Sequence, residues 1–244
     1  MYLAIDIGNS RQKAALFSEN GELVTLEEQR QLTSGTLVNW TDKYPVKASI
    51  LSSVGEERLD LERMLERKTR YIRFSHATPL PISIDYQQPK TLGLDRIADA
   101  VAAQALFPGC NVLAIQCGTC LVMDFVNQEG RYLGGSISPG LEMRLASLHH
   151  YTHRLPEVSY RPVDFLIGDT TEKSILGGVV NGMADEIDGA IERYTQKFKE
   201  LKVMMTGGNC EQLHFSIKHS IFATANAVLY GLYKILLFNE KAKP

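Results

Sequence analysis

The strongest constraint on this chain is a repeated β-rich pattern. Tyr2–Gly21 reads YLAIDIGNSRQKAALFSENG, and Val112–Gly130 reads VLAIQCGTCLVMDFVNQEG. Each copy opens on a Leu-Ala-Ile run (residues 3–5 and 113–115), then a polar residue, one further residue and a glycine: Asp6-Ile7-Gly8 and Gln116-Cys117-Gly118. A second β-rich run follows at Lys13–Phe17 or Leu121–Val126, then an acidic-glycine turn at Glu19-Asn20-Gly21 or Glu129-Gly130. A third strand is expected at Glu22–Leu26 and at Arg131–Gly134. Asn-Gly between alternating runs is a strong hairpin signal. Duplication of a meander-plus-helices unit makes each half its own lobe, with an expected division into residues 1–108 and 109–244. A chain of 244 residues accommodates two modest domains.

The segments after each meander fit that division. In the first half the pattern predicts a helix over Ser34–Tyr44, a strand over Ala48–Ser53, a helix over Glu56–Lys68 and a strand over Tyr71–Phe74. The proline-bearing stretch Ala77–Leu92 reads as an extended loop, because Pro79, Pro81 and Pro89 restrict their neighbours to extended backbone. Helix Gly93–Leu106 closes the half, with Ile97, Val101 and Ala105 on one stripe. In the second half a Gly-Pro turn is expected over Gly134–Gly140, then helix Leu141–His150. A long helix is expected over Thr171–Lys199, with Thr170 or Thr171 as N-cap. Strands Val203–Thr206 and Ile221–Ala223 and a terminal helix Ala225–Phe238 complete it. Strands alternating with helices indicate an α/β class.

Lys plus Arg total 26 against 28 Asp plus Glu, a formal charge of −2. No basic stripe points to nucleic acid or acidic lipid. Four cysteines, Cys110, Cys117, Cys120 and Cys210, are too sparse for a disulfide framework. Asp6 interrupts the N-terminal apolar stretch, and the uncharged run Ser220–Tyr233 is shorter than a bilayer span. The expectation is a reduced, soluble, cytoplasmic protein with no nucleic-acid or membrane partner.

Asp6-Ile7-Gly8-Asn9-Ser10 lies where a strand turns into a hairpin. Glycine there lets backbone amides approach an anion, Asn9 and Ser10 add donors, and Lys13 adds positive charge. Asp6 is suited to Mg²⁺. An ordinary tight turn uses the same residue types. Gly118-Thr119 is the equivalent turn of the second copy, and Thr206-Gly207-Gly208-Asn209 offers a third close backbone approach. Neither GxxxxGK[ST] nor GxGxxG occurs, so a nucleotide here needs paired hairpins. Asp95, near a helix start, is either a favourably placed first-turn carboxylate or a general base, with Arg96 either solvated or a carboxylate clamp. The CxxC at 117–120 has no predicted helix start to lower a thiol pKa. His149, His150 and His153 lack the glutamate of a zinc-protease pattern.

Taken in order, DIGNS at 6–10 with Lys13, Tyr86, LGLDR at 92–96, GT at 118–119, GGSISPGLEMR at 134–144, GDTTEKSILGG at 168–178 and TGGN at 206–209 resemble the type III pantothenate kinases. These belong to the acetate-kinase, sugar-kinase, Hsp70 and actin superfamily, and the similarity runs along essentially the whole chain. It implies two duplicated ribonuclease-H-like lobes with a cleft between them and ATP-dependent phosphorylation of pantothenate, the first step of coenzyme A biosynthesis. It assigns ATP phosphates to Asp6, Ile7, Gly8, Asn9, Ser10, Arg11, Gln12 and Lys13, with Thr119 from the second lobe and Mg²⁺ as cofactor. Asp95 becomes the general base. Tyr86, Gly93, Leu94, Arg96 and Thr171 become pantothenate contacts, Thr171 from the partner subunit of a homodimer whose helices lie in the second lobe. Where the family carries an aspartate for a monovalent cation (K⁺ or NH₄⁺), this chain has Gln116, a neutral amide, so binding there is expected to be weak or absent. Two rivals remain in view: a kinase or phosphatase for another small substrate, and a catalytically silent regulatory or transcription-accessory homologue.

Overall fold

A computed structural model describes residues 1–8, 11–53, 58–210, 212 and 217–241. Its first sheet starts from the meander β1 (Tyr2–Ile7), β2 (Gln12–Phe17) and β3 (Leu23–Gln29). Both neighbouring pairs are antiparallel, and Asp6 stands opposite Lys13. Helix α1 (Ser34–Lys43), strand β4 (Ala48–Ser53), helix α2 (Leu59–Lys68) and strand β5 (Arg70–Arg73) follow. Strand β4 pairs parallel with β1, and β5 pairs parallel with β4. The sheet order is therefore β3-β2-β1-β4-β5.

β1 is apolar on both faces because both are covered. Leu3, Ile5 and Ile7 point into a core with Leu37, Leu61 and Leu65 of α1 and α2. On the opposite face Tyr2 meets the ring of Tyr233 at 5.9 Å. That alternation is the period of two of an extended strand.

The second sheet repeats the plan. β7 (Asn111–Cys117), β8 (Cys120–Val126) and β9 (Arg131–Pro139) form the meander, and β10 (Leu201–Thr206) and β11 (Phe222–Ala223) extend the sheet. Five of its six strands, in the order β9-β8-β7-β10-β11, match β3-β2-β1-β4-β5 strand for strand, and a short sixth strand lies on the β9 edge. As in the first copy, β8 is antiparallel to β7, while β10 and β11 run parallel. Helices α4 (Leu141–His150) and α5 (Thr171–Lys197) bury Leu141, Leu145, Ile175, Met183 and Ile187 against Leu113, Ile115 and Met123. Thr170 is the N-cap of α5, its hydroxyl accepting from the Lys173 amide at 3.2 Å.

The chain divides into a unit of Met1–Pro108, Gly130–Tyr132 and Asn226–Pro244 and a unit of Gly109–Glu129 and Leu133–Ala225. The expected assignment of the terminal helix to the second lobe is corrected here. That helix, α6 (Ala227–Lys241), packs on β1 and on α3 (Leu94–Leu106) in the first unit. Its buried Leu229, Leu232, Tyr233, Ile235 and Leu236 supply the layer that covers that face of the first sheet.

Two local expectations also change. Gly134–Gly140, expected as a turn, is strand as far as Pro139. Pairing with β8 outweighs the turn preference of the glycines, and proline is tolerated at a strand end where no ladder donor is needed. The extended loop 77–92 contains a two-residue strand β6 (Ser83–Ile84), paired with Arg131–Tyr132, and a 3₁₀ turn at Pro89–Thr91. The expected start of α2 at Glu56 lies outside the described residues.

Candidate active site

In the first unit the chemistry gathers where β1 ends. Strand β1 carries Asp6 at its polar end. Ile7 is buried in the core, which leaves its backbone as the part that can face a ligand. The Gly8 amide donates to the Arg11 carbonyl at 3.1 Å, closing the turn. Asn9 and Ser10, expected as donors to phosphate, lie outside the described residues. Arg11 is exposed and donates to Glu28 at 2.8 Å. The Gln12 side-chain oxygen accepts from the Leu32 amide and from Arg58 Nη1, each at 2.8 Å. That binds it to the framework of the unit.

Lys13 is held in place. Its ammonium lies 3.2 Å from Glu28 and donates to Asn226 Oδ1, also at 3.2 Å. Asn226 sits just before α6 with φ +58, the left-handed region that asparagine tolerates better than most residues. The sequence reading missed Asn226. Its only local signal is an asparagine just ahead of an apolar helix.

The Asp6 carboxyl carries the clearest electrostatic signature. Its Oδ1 is buried and has no hydrogen-bond partner among the described residues. Burial, and after it the nearby charge of Asp95, push its pKa up to about 7, with Lys13 pulling the other way. Asp6 and Asp95 are therefore close enough to repel, although 89 positions of chain separate them. Asp95 sits on the first turn of α3, where its Oδ1 accepts from the Arg96 amide at 2.9 Å. Arg96 is buried beside it, and Gly93 and Leu94 form the N-cap and first residue of that helix. Tyr86 stacks at a tilt on Tyr132, with ring centres 6.0 Å apart. A recess of about 780 Å³ on the loop preceding this motif is lined by Ser75, His76, Ala77, Gln88, Pro89, Lys90 and Thr91. None of the expected site residues that the structure describes lines it.

A buried acidic oxygen that no described residue bonds, within the electrostatic reach of a second carboxylate, is chemistry that a divalent cation suits, since it needs oxygen ligands and negative charge. The donor chemistry at the first-unit turn thus fits Mg²⁺.

In the second unit the Gly118-Thr119 turn joins β7 to β8, with the Gly118 amide donating to the Cys120 carbonyl at 3.0 Å. Two other segments close on this turn. The Gly140 amide donates to the Thr119 carbonyl and the Asn209 amide to the Cys117 carbonyl, each at 3.0 Å. A Cβ on Gly140 would stand 2.2 Å from the Gly118 oxygen. One on Gly207, whose φ is +105, would stand 2.3 Å from the Cys117 oxygen. Both positions require glycine for this approach. The segment Thr206–Asn209, expected to offer a third backbone approach to phosphate, packs its Gly207 and Asn209 on the Cys117 backbone beside the second turn.

Gln116, half-buried at the end of β7, stands opposite Thr206 and Val122. Its amide brings no negative charge to a cation. Cys117 is buried, and burial, with Cys210 adding to it, pushes its thiol up to about 12, so Cys117 stays a neutral thiol at neutral pH. Thr171 is exposed on the first turn of α5 and lines a recess of about 490 Å³ with Leu148, Leu155, Ser174, Ile175, Gly178 and Val179. His149 is exposed and its Nδ1 lies 2.8 Å from the Leu155 carbonyl, a local helix-end contact.

Comparison with known proteins adds identity to this geometry. A relative from Christiangramia forsetii named type III pantothenate kinase is 43% identical over 98% of this chain and 99% of its own length. Among solved structures, a Campylobacter jejuni protein assigned to the Baf family of transcriptional activators superposes with a TM-score of 0.58 at 22% identity, covering 98% of this chain and 99% of its own. A ROK hexokinase from Thermus thermophilus gives a TM-score of 0.51 at 14% identity, covering 99% of each chain. These two likenesses speak to fold alone, that of the actin-like ATPases and sugar kinases. The family model for type III pantothenate kinase matches residues 2–193, and the chain belongs to that family.

Proposed function

We propose that this chain phosphorylates pantothenate with ATP, the first step of coenzyme A biosynthesis, and that Asp95 is its general base. The observation that carries the reading is the convergence in the first unit: buried Asp6 feels the charge of Asp95 and faces Lys13 across the β1–β2 ladder.

Phosphoryl transfer asks little covalent chemistry of a protein and rests on positioning and charge. Lys13 brings a fixed positive charge to the ATP phosphates, and the Gly8 turn brings the backbone close to them. The Gly118-Thr119 turn contributes the second unit's contact with ATP. A divalent cation at Asp6, when bound, offsets phosphate charge. Asp95 orients the primary hydroxyl of pantothenate and accepts its proton, and Arg96 and Tyr86 hold the rest of the acceptor. In this reading the protein is a homodimer in which exposed Thr171 reaches the acceptor bound to the other subunit. Its setting is the cytoplasm, in keeping with cysteines that stand outside any disulfide.

The test is turnover of labelled pantothenate with ATP and Mg²⁺. Asp95→Asn is expected to retain ATP binding and lose turnover by at least ~100-fold. Wild-type turnover in that variant rejects the assignment of the base, and no turnover in the parent rejects the activity.

A further inference from the structure

Arg144 lies in the segment GGSISPGLEMR, to which the reaction described above gives no part. Its guanidinium spans three groups: Nε donates to the Pro139 carbonyl at 2.7 Å, and Nη2 donates to Ser138 Oγ at 3.2 Å and to Glu186 Oε2. Ser138 Oγ in turn donates to Glu186 Oε1 at 2.7 Å. Arg144 belongs to α4 and Glu186 to α5, so the network ties both helices to the last residues of β9. The Arg144 and Glu186 side chains are 20% and 35% exposed, dry enough for charged hydrogen bonds to hold geometry.

The next residue along from Pro139 is Gly140. Its backbone touches the Gly118-Thr119 turn, with the amide bonded to the Thr119 carbonyl at 3.0 Å and no room for a Cβ. Gly207 and Asn209 in turn meet the backbone of Cys117, the residue that leads into the same turn. A shift of residues 138–140 is therefore passed directly to the turn through the Gly140 backbone.

We propose that Arg144, braced by Glu186 and Ser138, is a positioning residue that sets the Gly118-Thr119 turn for ATP. It acts through backbone and makes no contact with nucleotide itself. The inference rests on the reading of Thr119 as an ATP contact. A planar guanidinium with donors pointing in fixed directions suits the task. A lysine ammonium can keep the charge contact with Glu186 but cannot reproduce the fork.

Four variants, Thr119→Val, Arg144→Ala, Arg144→Lys and Glu186→Gln, test this, each assayed for KM of ATP, KM of pantothenate and kcat, with a melting curve alongside. A turn displaced by a fraction of an ångström is expected to lower kcat/KM for ATP by about 10- to 100-fold in Arg144→Ala, mainly through KM. Arg144→Lys and Glu186→Gln should fall between that variant and the parent, and KM for pantothenate should stay within about twofold in all three. A purely structural role lowers the melting temperature and the active fraction, hence kcat, and leaves KM for ATP where it was. The brace is overturned if Thr119→Val raises KM for ATP while Arg144→Ala and Glu186→Gln do not. If Thr119→Val itself leaves KM for ATP unchanged, the ATP reading of the turn fails first, and the inference falls with it. Should Arg144→Ala fail to fold, Glu186→Gln, which keeps size and an accepting oxygen, decides alone.

Discussion

Asp6 should destabilise the very unit it serves. Its folded-state pKa is about 7 against an ordinary 3.8, with burial the main cause and Asp95 the second. Between those values the native protein holds a proton that the unfolded chain has lost, so stability falls as pH rises through this window and levels off above it. From pH 5 to pH 7 the loss is two pH units at about 1.4 kcal/mol each, or about 3 kcal/mol. Asn at position 6 has nearly the same shape and no charge at any pH. Asp6→Asn is therefore expected to lie closest to the parent below pH 4, and its advantage should grow by about 3 kcal/mol between pH 5 and pH 8. For a chain of this size that is roughly 5–10 °C in melting temperature. The measurement is thermal unfolding of both proteins from pH 5 to pH 8 in chelator, without nucleotide. Parallel curves for parent and variant refute the argument, because they mean that Asp6 does not titrate in the fold.

The gain in stability should come with a loss of function, since a buried unpaired carboxylate is tolerated where it has work to do. Mg²⁺ with ATP should raise the melting temperature of the parent at pH 8 by linkage, and do so much less in Asp6→Asn. Equal stabilisation of the two would leave the carboxylate without a part in binding.

Other residues make separate predictions. Asn226→Gly keeps the left-handed backbone and removes the oxygen that Lys13 donates to; melting should move little while KM for ATP rises, and an unchanged KM counts against Lys13 being held for phosphate. Asn226→Ala should in addition lose about 1 kcal/mol of stability from the strained φ. Because Gln116 offers no charge, the rate should depend only weakly on KCl at constant ionic strength; a steep potassium requirement contradicts this. Cys117, buried with its thiol pushed up to about 12, should escape alkylation in the native protein at pH 8, as read by peptide mass spectrometry, and rapid labelling would show that β7 opens there.

What was readable in the amino acids and what was not divide along a physical line. The duplicated meander was legible because a hairpin is written in consecutive residues, and Asp6 and Lys13 meet across one such hairpin. Asp95 was legible as a carboxylate at a helix start. Contacts that depend on the two ends of the chain were not. α6 carries an apolar face that fits either sheet equally well as a pattern, and only packing against α3 and Tyr2 assigns it to the first unit. The Lys13–Asn226 bond spans 213 positions and the Arg144–Glu186 contact 42, distances over which periodicity carries no information. Yet both left local traces. The helix starts at Ala227 and not at Ala225 because Asn226 adopts a left-handed backbone, and β9 runs on to Pro139, a residue of the expected turn whose carbonyl Arg144 binds. Each of these two departures falls beside a residue proposed to bind ATP in its own unit. A position that breaks the local rule and still keeps its fold must be held by something distant, and here what holds it also holds the residues proposed to grip ATP.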